Sequence, residues 1–153
     1  QDFTPLNRAQ NQSFATRLTD LYGLDLDSLL QEQRLELWAR GGQLFAFPAA
    51  FLESLQSVPV VSLGMLIAQL AGSQWVPSHE FVSRFGSHFQ AGRTVLPDDL
   101  VGPWVGGQSL PLELGDHFPE EQVVAVFDPE GRLLGRGKVL RGQLKNLLPR
   151  RLV

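Results

Sequence analysis

The sequence predicts an α+β protein, helix-rich at first and strand-rich later. Near the start, Phe14, Leu18, Leu21 and Tyr22 form an apolar stripe at helical spacing. Toward the end, apolar and alternating runs are separated by Asp-Pro and Gly turns, which is how strands are punctuated. This order of elements points to a small α/β domain followed by a twisted sheet or open barrel carrying short helices.

The elements follow in order. Residues 7–22 predict a first helix, with Gly23 suited to its C-terminal end. Residues 26–33 predict a second, short helix, with Asp25 or Asp27 favouring its positive N-terminal end. Residues 34–38 alternate at period two, Gly41-Gly42 supplies a turn, and residues 43–47 return, making a hairpin. Residues 49–56 predict a short helix and Val58 to Leu63 a strand. Residues 65–70 fit a helix or a strand, with strand preferred, and Gly72-Ser73 reads as a turn and a domain seam, dividing the chain into 1–72 and 73–153.

Pro77-Ser78 predicts a helix start, Ser78 as cap, over His79 to Phe85, ended by Gly86. Pro97-Asp98-Asp99 predicts another, kept short by Gly102 and Pro103. Val123 to Phe127 predicts a buried strand, residues 128–131 a turn and residues 132–140 the returning strand. Arg141-Gly142 is a second turn, and Leu144 to Leu148 a last strand or irregular tail.

Composition bounds the function. At 153 residues, with 43% apolar residues, the chain is sized for one or two small domains. It has no cysteine, which excludes zinc fingers, disulfide scaffolds and a cysteine nucleophile. The apolar-leaning run from Val58 to Leu70 is too short for a bilayer, which takes about 20 residues. No membrane partner is expected. The start at Gln1 rather than Met predicts a piece of a longer protein.

Charge is polarised along the chain. The net charge is -3, yet residues 132–153 hold Arg132, Arg136, Lys138, Arg141, Lys145, Arg150 and Arg151 and no acid. Residues 98–130 hold eight acids and no Lys or Arg. A local positive surface attracts polyanions whatever the overall sign, so nucleic acid is the first partner to consider. On a regular strand Arg132, Leu134, Arg136 and Lys138 would share one face. Gly135 and Gly137 would clear the other for close backbone approach or a bulge. The competing reading is that the basic segment only neutralises the acidic one, through exposed pairs worth about 0–1 kcal/mol each.

Catalytic motifs fail on inspection. His79-Glu80-Phe81-Val82-Ser83 begins like a zinc-protease helix but lacks the second histidine. Gly131 to Lys138 misses phosphate-loop spacing, with Val139 where Ser or Thr is needed. Gly107-Gln108-Ser109-Leu110-Pro111 misses the nucleophile elbow. No catalytic or metal-binding residue is assigned. Phe81 and Phe85 are expected to pack inward; Trp75 and Trp104 are the better candidates for an exposed stacking face.

The stretch Val123-Val124-Ala125-Val126-Phe127-Asp128-Pro129-Glu130-Gly131-Arg132-Leu133-Leu134-Gly135-Arg136-Gly137-Lys138 resembles the closing hairpin of PUA-type RNA-binding domains. Gly142-Gln143-Leu144-Lys145-Asn146-Leu147-Leu148-Pro149 resembles the C-terminus of the Nol/Nop/Sun family of bacterial RNA cytosine-C5 methyltransferases, of the 16S rRNA methyltransferase F type. Trp75-Val76-Pro77-Ser78-His79 and Trp104-Val105-Gly106-Gly107-Gln108-Ser109-Leu110 resemble further elements of that family's C-terminal region.

The resemblance implies a PUA-like domain over 73–153, preceded by a small domain over 1–72. It implies that S-adenosylmethionine and the catalytic cysteines belong to a methyltransferase domain absent from this chain, which itself would be no enzyme. The implied partners are rRNA or tRNA and that missing domain in cis, in the cytoplasm. Arg132, Arg136, Lys138, Arg141, Lys145, Arg150 and Arg151 would grip phosphates. Asn146 would offer a hydrogen bond to a base edge or 2′-hydroxyl. The alternative is a protein-interaction module docking its basic tail on an acidic surface.

Overall fold

The computed structural model describes residues 3–48, 64–72, 74–112 and 118–149. It is a mixed α+β fold with two five-stranded sheets, one curled as a half-barrel, and four α-helices among the described residues. The chain separates into two compact units, Gln1–Phe81 and Val82–Val153.

In the first unit, β1 (Thr4–Pro5) leads into α1 (Arg8–Tyr22) and α2 (Leu26–Gln33). Asn7 caps α1: its Oδ1 accepts from the Gln10 backbone N–H at 2.8 Å, and Gln10 Oε1 accepts from the Asn7 N–H at 3.0 Å. Two of the helix's orphan donors are satisfied by this exchange. Gly23 ends α1 in the left-handed region, at φ 61°. Phe14, Leu18 and Tyr22, four residues apart, are the buried face. Asp25 caps α2 through Ser28, and its side-chain hydrogen bond with Ser28 holds the carboxyl below its ordinary value.

The hairpin forms as β2 (Leu35–Arg40) and β3 (Gln43–Pro48), closed by Gly41-Gly42 with Arg40 opposite Gln43. The expected helix at 49–56 and strand at 58–63 lie outside the described residues. β4 (Met65–Ala71) continues the sheet. Gly72 connects it to β5 (Gln74–Pro77), a strand the sequence did not announce, and the order is β1-β2-β3-β4-β5. Ser78 then caps α3 (His79–Phe85), its Oγ accepting from the Phe81 N–H at 3.0 Å.

In the second unit a 3-10 turn (Gly86–His88) follows α3, then β6 (Arg93–Val95) and α4 (Asp98–Val105). α4 runs through Gly102 and Pro103 to present Trp104 to the core. β7 (Leu110–Pro111), β8 (Val123–Phe127), β9 (Leu133–Leu140) and β10 (Gln143–Asn146) complete a sheet of order β6-β8-β9-β10-β7. All pairs are antiparallel except β6 with β8. Every residue of β8 is buried, as expected of a central strand covered on both faces.

The core of this unit gathers Leu96, Trp104, Leu110, Val124, Val126, Val139 and Leu144 on one face of the sheet. Trp104 is fully buried, and its Nε1–H donates to the Leu134 carbonyl at 2.9 Å. Trp104, one of the two candidates for an exposed stacking face, therefore does not form one. The indole is the keystone of the core, its one polar atom satisfied by the backbone.

Candidate nucleic-acid interface

The basic residues are placed by a bulge. Ala125 pairs with Arg136, but Phe127 pairs with Leu133, so a two-residue step on β8 faces a three-residue step on β9. Gly135, at φ 102°, lies in the inserted stretch, a conformation that glycine adopts without penalty. The insertion reverses the alternation beyond it. Leu133, Arg136 and Lys138 share one face, while Leu134 turns to the opposite face and packs against the core around Trp104. The regular row of Arg132, Leu134, Arg136 and Lys138 is therefore replaced by a shorter one.

Lys138 and Lys145 stand directly opposite each other across β9 and β10. Such partners have Cβ atoms about 4.5–5.5 Å apart, and like charges there repel. Neither lysine makes an ion pair or side-chain hydrogen bond among the described residues. Arg136 lies two residues along the same face and is half-buried. Arg141 sits in the exposed β9–β10 turn at φ 52°; its backbone N–H donates to Glu120 Oε1 at 2.6 Å. Arg150 and Arg151 lie outside the described residues.

Arg132 is engaged elsewhere. Its Nε donates to Asp128 Oδ2 at 2.7 Å and its guanidinium reaches Glu130 Oε2 at 2.6 Å. Asp128 is buried, and Oδ1 accepts from the backbone N–H groups of Glu130 and Arg132 at 2.9 and 2.8 Å. Burial alone would raise its pKa, but these hydrogen bonds and the Arg132 charge outweigh it and hold the carboxyl below the ordinary 3.8. The sign follows: its contribution to stability is present above the ordinary value and is lost as pH falls through the lowered one. Asp128→Asn is expected to flatten the acid limb of a stability-versus-pH curve, measured by urea unfolding. An unchanged limb would remove this turn from the pH dependence.

Asn146 is also committed within the fold. Its side-chain NH2 donates to the carbonyls of Trp104 at 2.8 Å and Gln108 at 3.0 Å, and its Oδ1 accepts from the Leu148 N–H at 2.9 Å. Both amide protons are used, and Asn146 ties the tail to the end of α4. Asn146→Ala leaves these backbone groups without their partner and is expected to cost about 1–3 kcal/mol. Thermal unfolding checks this; a loss below about 0.5 kcal/mol would show that water replaces the amide.

The glycines have an internal role too. A Cβ on Gly137 would lie 2.7 Å from Leu144 Cδ1 and 2.9 Å from Trp104 Cη2. A Cβ on Gly135 would lie 2.6 Å from Leu148 Cδ2. The close approach expected from these glycines is made by the chain's own side chains.

Among the described residues no group of three His, Cys, Asp or Glu could hold a metal ion. No described helix is long and apolar enough to cross a membrane.

Curated proteins similar to this chain carry the name of an rRNA methyltransferase. No family model matches it. Ribosomal RNA small subunit methyltransferase F of Erwinia tasmaniensis is 27% identical over 153 residues, 99% of this chain and 30% of the relative. The protein of the same name from Pectobacterium carotovorum is 27% identical over 127 residues, 80% of this chain and 24% of the relative. That from Cronobacter sakazakii is 27% identical over 152 residues, 99% and 29% respectively. The chain thus spans less than a third of the curated relatives it matches, and the likeness extends through the first unit, beyond the motifs that first suggested it. A crystal structure of a hypothetical protein from Pyrococcus horikoshii shares the fold, with a TM-score of 0.54 and 12% identity over 92% of this chain and 84% of that one.

Proposed function

We propose that this chain is the RNA-positioning part of a longer, S-adenosylmethionine-dependent rRNA or tRNA cytosine-C5 methyltransferase of the cytoplasm. In this reading residues 73–153 form a PUA-like domain, residues 1–72 the small domain before it, and the chemistry belongs to a methyltransferase domain in cis. The similarity to methyltransferase F supports the parentage.

The carrying observation is the opposed pair Lys138 and Lys145, with Arg136 on the same face and no acid paired to either lysine among the described residues. A phosphate between two ammonium groups relieves their repulsion and gains a charge-assisted hydrogen bond from each. Arg141 flanks them, and in this reading Arg150 and Arg151 also contact phosphate. Arg132 and Asn146 support it by holding the hairpin turn and the tail in place. Phosphate contacts position an RNA without reading its sequence.

If about four phosphates are engaged, log K should fall with log salt at a slope of about -2.8 on single strands. Fluorescence anisotropy with labelled rRNA fragments at several salt concentrations tests this. A flat dependence, or binding only to an acidic protein surface such as an isolated methyltransferase domain, would reject the reading.

A further inference from the structure

The basic face has a member that the sequence does not group with it. Arg93, on β6, pairs in register with Ala125, and Ala125 pairs with Arg136. Bridge partners point to the same side of a sheet, so Arg93, Arg136, Lys138 and Lys145 share one face. With strands about 4.8 Å apart, the Cα atoms of Arg93 and Arg136 are separated by about 10 Å.

Arg93 is not held as an ordinary surface cation. Its Cζ lies 4.1 Å from the centroid of the Phe127 ring, and a guanidinium N–H donates to the Phe89 carbonyl at 3.4 Å. Phe127 is buried, so the guanidinium lies against a fixed aromatic base. Arg93 makes no ion pair among the described residues and is half-buried. Next to it on the same face, Val95 is 53% exposed, an apolar neighbour at the edge of the sheet. Between the two arginines the 3-10 turn packs Gly86 onto Ala125, and its outer residues Ser87 and His88 are exposed.

We propose that Arg93 and Val95 form a seat for one unpaired nucleobase, next to the phosphate grip of Arg136, Lys138 and Lys145. A guanidinium plane backed by a ring is a stacking platform as well as a charge, and RNA bases are stacked on such planes when they are splayed out of a helix. The backbone would cross Ser87 and His88, with its phosphates on the lysine side and the base on the Arg93 side. The RNA taken is single-stranded at this point, since a paired base cannot present its face. This inference rests on the RNA-binding reading above and adds the site and strandedness.

The test is fluorescence anisotropy of the full chain with a short labelled single-stranded RNA and with a hairpin duplex of the same sequence. Arg93→Ala should weaken single-strand binding about tenfold, as loss of one stacked base does, and leave duplex binding little changed. Arg93→Lys keeps the charge without the plane. It should be about as weak as Arg93→Ala on the single strand, with the wild-type salt slope. Arg93→Gln keeps a plane without the charge and should retain more single-strand affinity than Arg93→Lys. Thermal unfolding of each variant shows that the unit stays folded.

Wild-type affinity in Arg93→Lys would reduce Arg93 to a phosphate contact and overturn the seat. Equal losses on both RNA forms would do the same. If Lys138→Glu weakens binding while every Arg93 variant is normal, only this inference falls. If the wild type binds neither RNA, the reading beneath it falls as well.

Discussion

Trp104→Ala is expected to destabilise the second unit by about 3–5 kcal/mol, the range for truncating a large buried aromatic. Trp104 is wholly buried among Leu96, Leu110, Val124, Val126, Val139 and Leu144. Removing the indole opens a cavity that this face of the sheet cannot close, because α4 is pinned by the Asn146 amide bonded to the Trp104 carbonyl. It also strips the Leu134 carbonyl of its donor. A domain of this size is stable by only about 5–15 kcal/mol, so the variant should sit near its folding threshold. Urea unfolding followed by circular dichroism gives the number. A loss below about 1 kcal/mol would mean that the core repacks freely and that the indole is not central to it.

Lys145→Glu is expected to move RNA affinity and stability in opposite directions. It replaces the repelling pair across β9 and β10 with an attracting one, worth about 0.2–1 kcal/mol of added stability. On the proposed RNA-binding reading it also removes a phosphate contact and places a negative charge in the phosphate grip, for a loss in RNA affinity on the order of tenfold to a hundredfold. The salt slope should shrink by about 0.7 or more. Opposite signs matter because a merely misfolded variant would lose both. If stability rises and affinity does not change, the lysine pair is an ordinary solvated surface and the phosphate grip lies elsewhere.

Elements built on local chemistry were legible. The Ser78 cap, the Gly23 stop, the Gly41-Gly42 turn and the buried run of β8 each follow from a few adjacent residues. β5, β6 and β7 were not, because strands of two to four residues carry too few alternations to stand out. β6 and β7 depend on edges supplied by strands distant in sequence, β8 and β10, whereas β5 pairs with the adjacent β4. β6 matters most, since it carries Arg93 to the basic face through parallel pairing.

The site was legible in composition and less so in geometry. The run of cations after residue 131 is evident from the chain. A bulge is one of the two options that Gly135 and Gly137 offer, but which glycine takes it, and the register it imposes, are not evident from the chain. That one inserted residue changes which side chains accompany Arg136. The roles of Arg132 and Asn146 depend on partners that only the fold brings near, Asp128 around a turn and the end of α4 across the sheet. The burial of Trp104 is not evident from its neighbours, because the strands that cover it are distant in sequence.

The vacancy at position 137 has an evolutionary corollary. Because hydrogen stands where a methyl would strike both Leu144 and Trp104, the three positions must change together. Homologues that acquire alanine or serine at 137 should carry a smaller ring at 104 or a shortened aliphatic at 144. Lineages that keep tryptophan should show glycine at 137 almost without exception. The correlation would arise from volume exclusion alone, whatever the domain binds.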